Sequence, residues 1–123
     1  MISSKLGITF SHPHISHLGY SVEEALDYAL SLKLSHIRLG SYWSRVETSK
    51  DSYNFSELER LLKKCERAKQ PIIMNVGMKS PRWPEFYLPP YVDTIDIGSK
   101  QVKERVLLFI EKTIIKFKSY KCI

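Results

Sequence analysis

The sequence predicts an α/β fold built on parallel strands. Three observations carry it. Short apolar runs alternate three times with longer stretches of helical periodicity. The runs are apolar nearly throughout, as in a sheet covered on both faces. The links out of the strand-like runs are long, whereas the links back into them are short.

Residues 6–10 form the first apolar run and read as a buried strand. After a loop, Ser21-Val22-Glu23-Glu24 forms a capping box, in which the Ser21 hydroxyl accepts from an amide three residues on and Glu24 reaches back. Val22, Ala25, Leu26, Ala29 and Leu30 then recur at helical spacing. Residues 36–40 are the second strand, followed by a loop rich in Ser and Asp. A second Ser-to-Glu box, at Ser56, opens a helix whose stripe is Leu58, Leu61, Leu62, Cys65 and Ala68. Residues 72–76 are the third strand. A long proline- and ring-rich loop, 77–98, leads to a third helix capped by Ser99. Its stripe runs Val102, Val106, Phe109, Ile110, Thr113, Ile114 and Phe117. Residues 120–123 read as the start of a fourth strand.

Two parallel architectures compete. An open nucleotide-binding sheet calls for a Gly-rich turn after its first strand, and Ser11-His12-Pro13-His14 is not one. Long, aromatic strand-to-helix loops beside short return links (33–35 and 69–71) favour a closed (β/α)8 barrel with its chemistry on one rim. A whole barrel needs about 250 residues. The 123 residues therefore read as part of one TIM-barrel domain: the first three βα units and the beginning of strand four. Three units cannot close, so the edges of strands one and three are expected to stand open and to invite self-association.

Composition narrows the function classes. At 43% hydrophobic and 26% charged, the chain is an ordinary globular sequence with no apolar run of membrane-spanning length. The start, Met1-Ile2-Ser3-Ser4-Lys5, lacks a charged-then-apolar leader pattern, so a cytoplasmic protein without a membrane partner is expected. Cys65 on a helix stripe and Cys122 near the end suggest neither a disulfide nor a metal site. The net charge is +6. Its cations, Lys63, Lys64, Arg67 and Lys69 on one helix face and Lys100, Lys103, Arg105, Lys112, Lys116 and Lys118 on another, interleave with Glu57, Glu59, Glu66, Glu104 and Glu111, which reads as solvated helix faces and not as a nucleic-acid patch.

Gly7-Ile8-Thr9-Phe10-Ser11, then His36-Ile37-Arg38-Leu39-Gly40-Ser41-Tyr42-Trp43 with Glu47, then Tyr53-Asn54-Phe55-Ser56, then Val76-Gly77-Met78-Lys79-Ser80-Pro81-Arg82-Trp83-Pro84-Glu85 form an ordered series. It resembles the first third of a cellulase-like glycoside hydrolase. The family is the retaining clan of (β/α)8 enzymes that includes glycoside hydrolase family five and the family forty-two β-galactosidases. The resemblance implies an oligosaccharide or glycoside substrate, no cofactor and no metal. It also implies a Glu acid/base after strand four and a Glu nucleophile after strand seven. Neither segment is present, so both catalytic residues are expected beyond Ile123, and no glycosidase activity is expected from these residues alone. Two other classes compete: a non-catalytic carbohydrate-binding or interaction module, and a basic nucleic-acid-binding domain.

Arg38 closes the second strand. The resemblance implies that it lies beside the nucleophilic carboxylate, where a fixed guanidinium keeps the acid ionised; the plain alternative is a surface arginine. Tyr42, Trp43 and Trp83 either offer ring faces to a sugar or pack their loops onto the rim. Lys79 and Arg82 either reach sugar hydroxyls or are solvated. His12, His14 and His17 form a His-x-His-x-x-His cluster with no carboxylate in its loop. That set is poor for a metal, and hydrogen bonding in outer sugar subsites suits His12 and His14 better. Glu47 and Glu85 tempt one to build a carboxylate pair, but a retaining site needs its carboxyls about 5–5.5 Å apart. These two belong to separate loops, and structural hydrogen bonding is expected for both.

Overall fold

The computed structural model describes residues 5–79, 85–92 and 95–123. The protein is mixed α/β, with one three-stranded, all-parallel open sheet in the order β1-β2-β3. The strands are β1 (Gly7–Phe10), β2 (His36–Tyr42) and β3 (Ile72–Gly77). The helices are α1 (His12–His17), α2 (Val22–Ser31), α3 (Trp43–Val46), α4 (Ser56–Arg67) and α5 (Lys100–Phe117), with a 3-10 turn at Pro90–Val92.

The chain divides into two compact units. The first comprises Met1–Gly40, Glu57–Met74 and Tyr120–Ile123. Its core is Phe10, Leu26, Ala29, Ile37, Leu39, Leu58, Leu61, Leu62, Cys65 and Ile72, all buried. Each fully buried Leu or Ile contributes about 1.5–3 kcal/mol. The Ser21 cap forms as expected, its hydroxyl accepting from the Glu24 amide at 3.3 Å. Across α2 and α4, Glu23 pairs with Arg60, and Lys64 lies 3.2 Å from Glu23 and 2.6 Å from Asp27. Exposed pairs of this kind add little beyond register. Gln70, buried, donates to the Leu34 and Pro71 carbonyls at 3.0 and 3.2 Å and ties two return links together.

The second unit comprises Ser41–Ser56 and Asn75–Ser119. Trp43, Val46, Val92, Val102 and Phe109 form its core, with the Trp43 and Phe109 rings stacked at 6.1 Å. Phe55 meets Phe117 edge-on at 5.5 Å. Ser99 caps α5 by accepting from the Val102 amide at 3.3 Å. Of the predicted stripe, Val102, Phe109, Thr113 and Phe117 are buried, whereas Ile114 is 58% exposed.

Several expectations need correction. Residues 12–17 are helical, not loop: Pro13 supplies the fixed φ that suits a first turn, and no apolar periodicity announces it. The Ser- and Asp-rich loop opens with α3. Ser56 is the first residue of α4 and not its cap, and Asn54 makes the turn into the helix, its side-chain carbonyl oxygen accepting from the Ser56 amide at 3.0 Å. Residues 120–123 form turns and no strand. They nevertheless run along β3, because the Ile72 amide donates to the Cys122 carbonyl at 2.6 Å. The edge of β3 is thereby partly occupied where an open one was expected. One face of the sheet stands open in the first unit, where Ile73 is 50% exposed, as three units without five further strands of cover lead one to expect.

Candidate functional site

The open sheet face belongs to the first unit and follows from register. Gly7 lies opposite His36, and Thr9 opposite Arg38. Side chains alternate along a strand, so these four share one face while Ile37 and Leu39, fully buried, point the other way. Gly7, Ile8, Thr9, His36, Arg38 and Ile73 line a hollow of about 250 Å³. Within it, Arg38 donates to the Thr9 hydroxyl from Nε at 3.1 Å and from Nη2 at 2.7 Å. A guanidinium carries five donors, so the fork retains capacity beyond the hydroxyl. Among the described residues no carboxylate forms an ion pair with Arg38. The His36 ring, steadied by Ser35 Oγ 3.0 Å from Nδ1, lies across Gly7. A Cβ at Gly7 would come within 2.3 Å of His36 Nε2, so only glycine lets the ring settle there. Chemically, this face offers a cation, a hydroxyl and an imidazole on rigid strands, which suits recognition of oxygen-rich ligands.

A second polar cluster, buried in the other unit, is of a different kind. Glu47 directly follows α3 and is wholly buried. It accepts from the Trp43 indole at 2.7 Å, from the Asp51 amide at 2.9 Å, and from Arg105. Arg105 also donates to Asp51 Oδ1 at 2.8 Å and to the Tyr91 hydroxyl at 3.0 Å, and lies over the Tyr91 ring. Burial pushes the Glu47 carboxyl up. The hydrogen bonds from Trp43, Asp51 and Tyr91, with the Arg105 charge, outweigh that and hold it below the usual range. Burial likewise lifts the Tyr91 hydroxyl to about 12. A sealed, ionised, fully bonded carboxylate is neither nucleophile nor proton donor, and its role is to lock α3 to α5. Structural hydrogen bonding by Glu47 agrees with expectation, and so does its place in the segment that follows β2. Arg105 is corrected outright: expected on a solvated face, its side chain is only 15% exposed. The signal was its position, three residues after Val102 and four before Phe109, on the buried side of α5.

The remaining predicted site residues scatter. Trp43 takes the packing alternative, with no exposed ring face. Tyr42, 4% exposed, packs at a tilt on Tyr87 at 4.4 Å. Lys79 bridges to Phe86 and sits 5.9 Å from its ring centroid. Glu85 accepts from the Tyr87 hydroxyl at 3.1 Å. His12 is buried, with Nε2 3.8 Å from Glu57, so a carboxylate does stand beside it, brought by α4 and not by its own segment. His14 is exposed on α1. Among the described residues no His, Cys, Asp and Glu grouping could hold a metal. Arg82 and Trp83 lie outside the described residues. Among the described residues, Arg38 is therefore the one predicted site residue that the structure sets with other polar groups in an open hollow.

Fold and site together define an α/β protein whose parallel sheet presents a strand-borne arginine on an uncovered face. Among the described residues, no helix is long and apolar enough to cross a membrane. No protein-family model matches the chain, and no curated protein matches it.

Proposed function

We propose that this chain is the opening, substrate-facing portion of a retaining (β/α)8-type glycoside hydrolase, and that its ligand is an oligosaccharide or glycoside. The observation that carries the reading is Arg38, fixed by Thr9 on an open sheet face with no carboxylate partner among the described residues. In such an enzyme a carboxylate from a later strand completes this pair, and the guanidinium keeps it ionised and aimed. The parallel strand order, and the ring-rich segments that follow β2 and β3, are in keeping with it.

The two reacting carboxylates have no counterpart in the sequence motifs of these 123 residues. Glu47 is sealed and Glu85 serves Tyr87. The chain's contribution is therefore binding and positioning, without bond cleavage of its own.

The test is a titration of the chain with cello- and galacto-oligosaccharides, followed through its amide resonances, together with an aryl-glycoside hydrolysis assay. The expected result is perturbation centred on Thr9, His36 and Arg38, abolished by Arg38→Met, with no hydrolysis. A preparation that cleaves the aryl glycoside and loses that ability on Glu47→Gln or Glu85→Gln overturns the reading. So does sugar binding that Arg38→Met leaves untouched.

A further inference from the structure

The strands of the first unit start on one rim, and lysines recur along it. Lys33 stands just before β2 and Lys69 just before β3. Lys121 runs beside β3, where the next residue's carbonyl accepts from the Ile72 amide. Lys33 and Lys69 are equivalent positions in successive units. Each follows a helix end, and each holds a left-handed backbone, with φ of 49° and 53°. Glycine is the usual occupant of such a position, because it has no Cβ to strain. Lysine at both is the reverse of what backbone stability alone would select, and retained strain of this kind gathers at functional places.

Two hollows of about 380 Å³ each open on this rim. Lys33 and Lys69 line one; Lys69, Lys121 and Glu66 line the other, so Lys69 and its neighbour Pro71 belong to both. Glu66 stays ionised, its carboxyl held low by hydrogen bonding from Cys122 first, with the Lys121 charge among the further causes, so it offsets one of the three lysine charges and leaves the rim a surplus of two. The Glu66 oxygens accept from the amides of Lys121 and Cys122 at 3.0 and 2.7 Å. Among the described residues none of the three lysines forms an ion pair, whereas Lys63, Lys64 and Lys100 each lie beside a carboxylate. Lysine is a compact charge with three rotatable donors on a flexible stem, suited to phosphate oxygens more than to a bidentate fork. No aromatic ring lines either hollow, so there is no platform for a base.

We propose that this rim binds a small polyphosphorylated anion, with phosphate groups in the two adjoining hollows and Lys69 between them. The site is separate from the Arg38 hollow and does not depend on the sugar reading. Two hollows meeting at one shared lysine match a compact ligand of two or three phosphates better than an extended backbone.

The experiment titrates sodium tripolyphosphate into the full chain at physiological salt, following amide shifts and heat. Lys33→Gln, Lys69→Gln and Lys121→Gln are compared singly and together, with Lys100→Gln as the control. Exposed charges of this kind change binding by about threefold each, so Lys33→Gln and Lys121→Gln should weaken it about threefold, Lys69→Gln more, and the triple variant most of all. Lys100→Gln should leave it unchanged. Each single variant alters one exposed side chain, so the test stands even if the triple variant folds poorly. Absence of tripolyphosphate binding overturns the proposal, as does equal weakening by Lys100→Gln and Lys69→Gln. Duplex DNA binding at lower concentration than tripolyphosphate also overturns it, by assigning the rim to nucleic acid.

Discussion

Arg105→Met probes the buried cluster directly. Methionine keeps much of the aliphatic stem and removes every donor. Glu47 is then left wholly buried with the Trp43 indole, the Asp51 amide and the Tyr91 hydroxyl but no countercharge. Removing one partner of a buried ion pair costs about 3–5 kcal/mol. The surviving hydrogen bonds from Trp43, Asp51 and Tyr91 place this case near the lower end, at about 3 kcal/mol. Losing the arm to Asp51, whose side chain is 63% exposed, adds less than about 1 kcal/mol. The lost stack on Tyr91 adds about 0.5–1 kcal/mol. The sum is about 3–5 kcal/mol. Urea unfolding followed by tryptophan fluorescence is the assay, since Trp43 bonds Glu47 and stacks on Phe109. With a slope of about 1–3 kcal/mol per molar urea, the midpoint should fall by at least about 1 M. Arg105→Lys, which restores charge without the fork, should recover part of the loss. An Arg105→Met midpoint within about 0.3 M of the parent protein would refute the reasoning, because that corresponds to less than about 1 kcal/mol.

Further outcomes follow from the same structure. Glu47 is held below its ordinary value of 4.5, so its stabilisation is complete above that pH and is lost as pH falls through the lower folded value; Glu47→Gln should cost stability near neutrality and flatten the acid limb of the stability curve, and parallel curves would count against it. Gly7→Ala should displace the His36 ring, shift its resonances and cost about 1–3 kcal/mol by overpacking, read by NMR and thermal melts. Burial raises the Cys65 thiol to about 11, and burial with the Glu66 hydrogen bond and charge raises Cys122 to about 12; at pH 8 Cys65 should react with a thiol reagent about 100-fold, and Cys122 about 1000-fold, more slowly than an exposed thiol, until urea unfolds the chain. Lys33→Gly should relieve the left-handed strain and raise stability by about 1 kcal/mol, measured in urea.

The strands were legible because apolar runs such as Ile37 and Leu39 leave few alternatives, and the structure begins β1 one residue later and extends β2 and β3 by two residues and one. The caps at Ser21 and Ser99 were legible because a hydroxyl at that spacing has one natural donor. The start of α4 was not, because Asn54 and Ser56 both carry side-chain acceptors and only the turn geometry chooses between them. The site was harder to read. Charge and burial are separate properties, and a one-dimensional pattern shows only the first. Arg105 therefore looked like its solvated neighbours, and His12 looked distant from any acid until α4 brought Glu57 to it. For Trp43 the packing alternative was already favoured, but the ring it packs on, Phe109, lies far along the chain and could not be named from local pattern.

The bond from the Ile72 amide to the Cys122 carbonyl bears on how copies of this chain could stack. It is reinforced from the side by Glu66, which grips the amides of Lys121 and Cys122. The outer margin of β3 is thus already claimed at its first residue and makes a poor template for a foreign strand. Among the described residues β1 pairs only with β2, so its far margin offers the ladder on which a fibril would nucleate. A lysine or proline placed there, at Ile8, should suppress such growth more than any change made along β3.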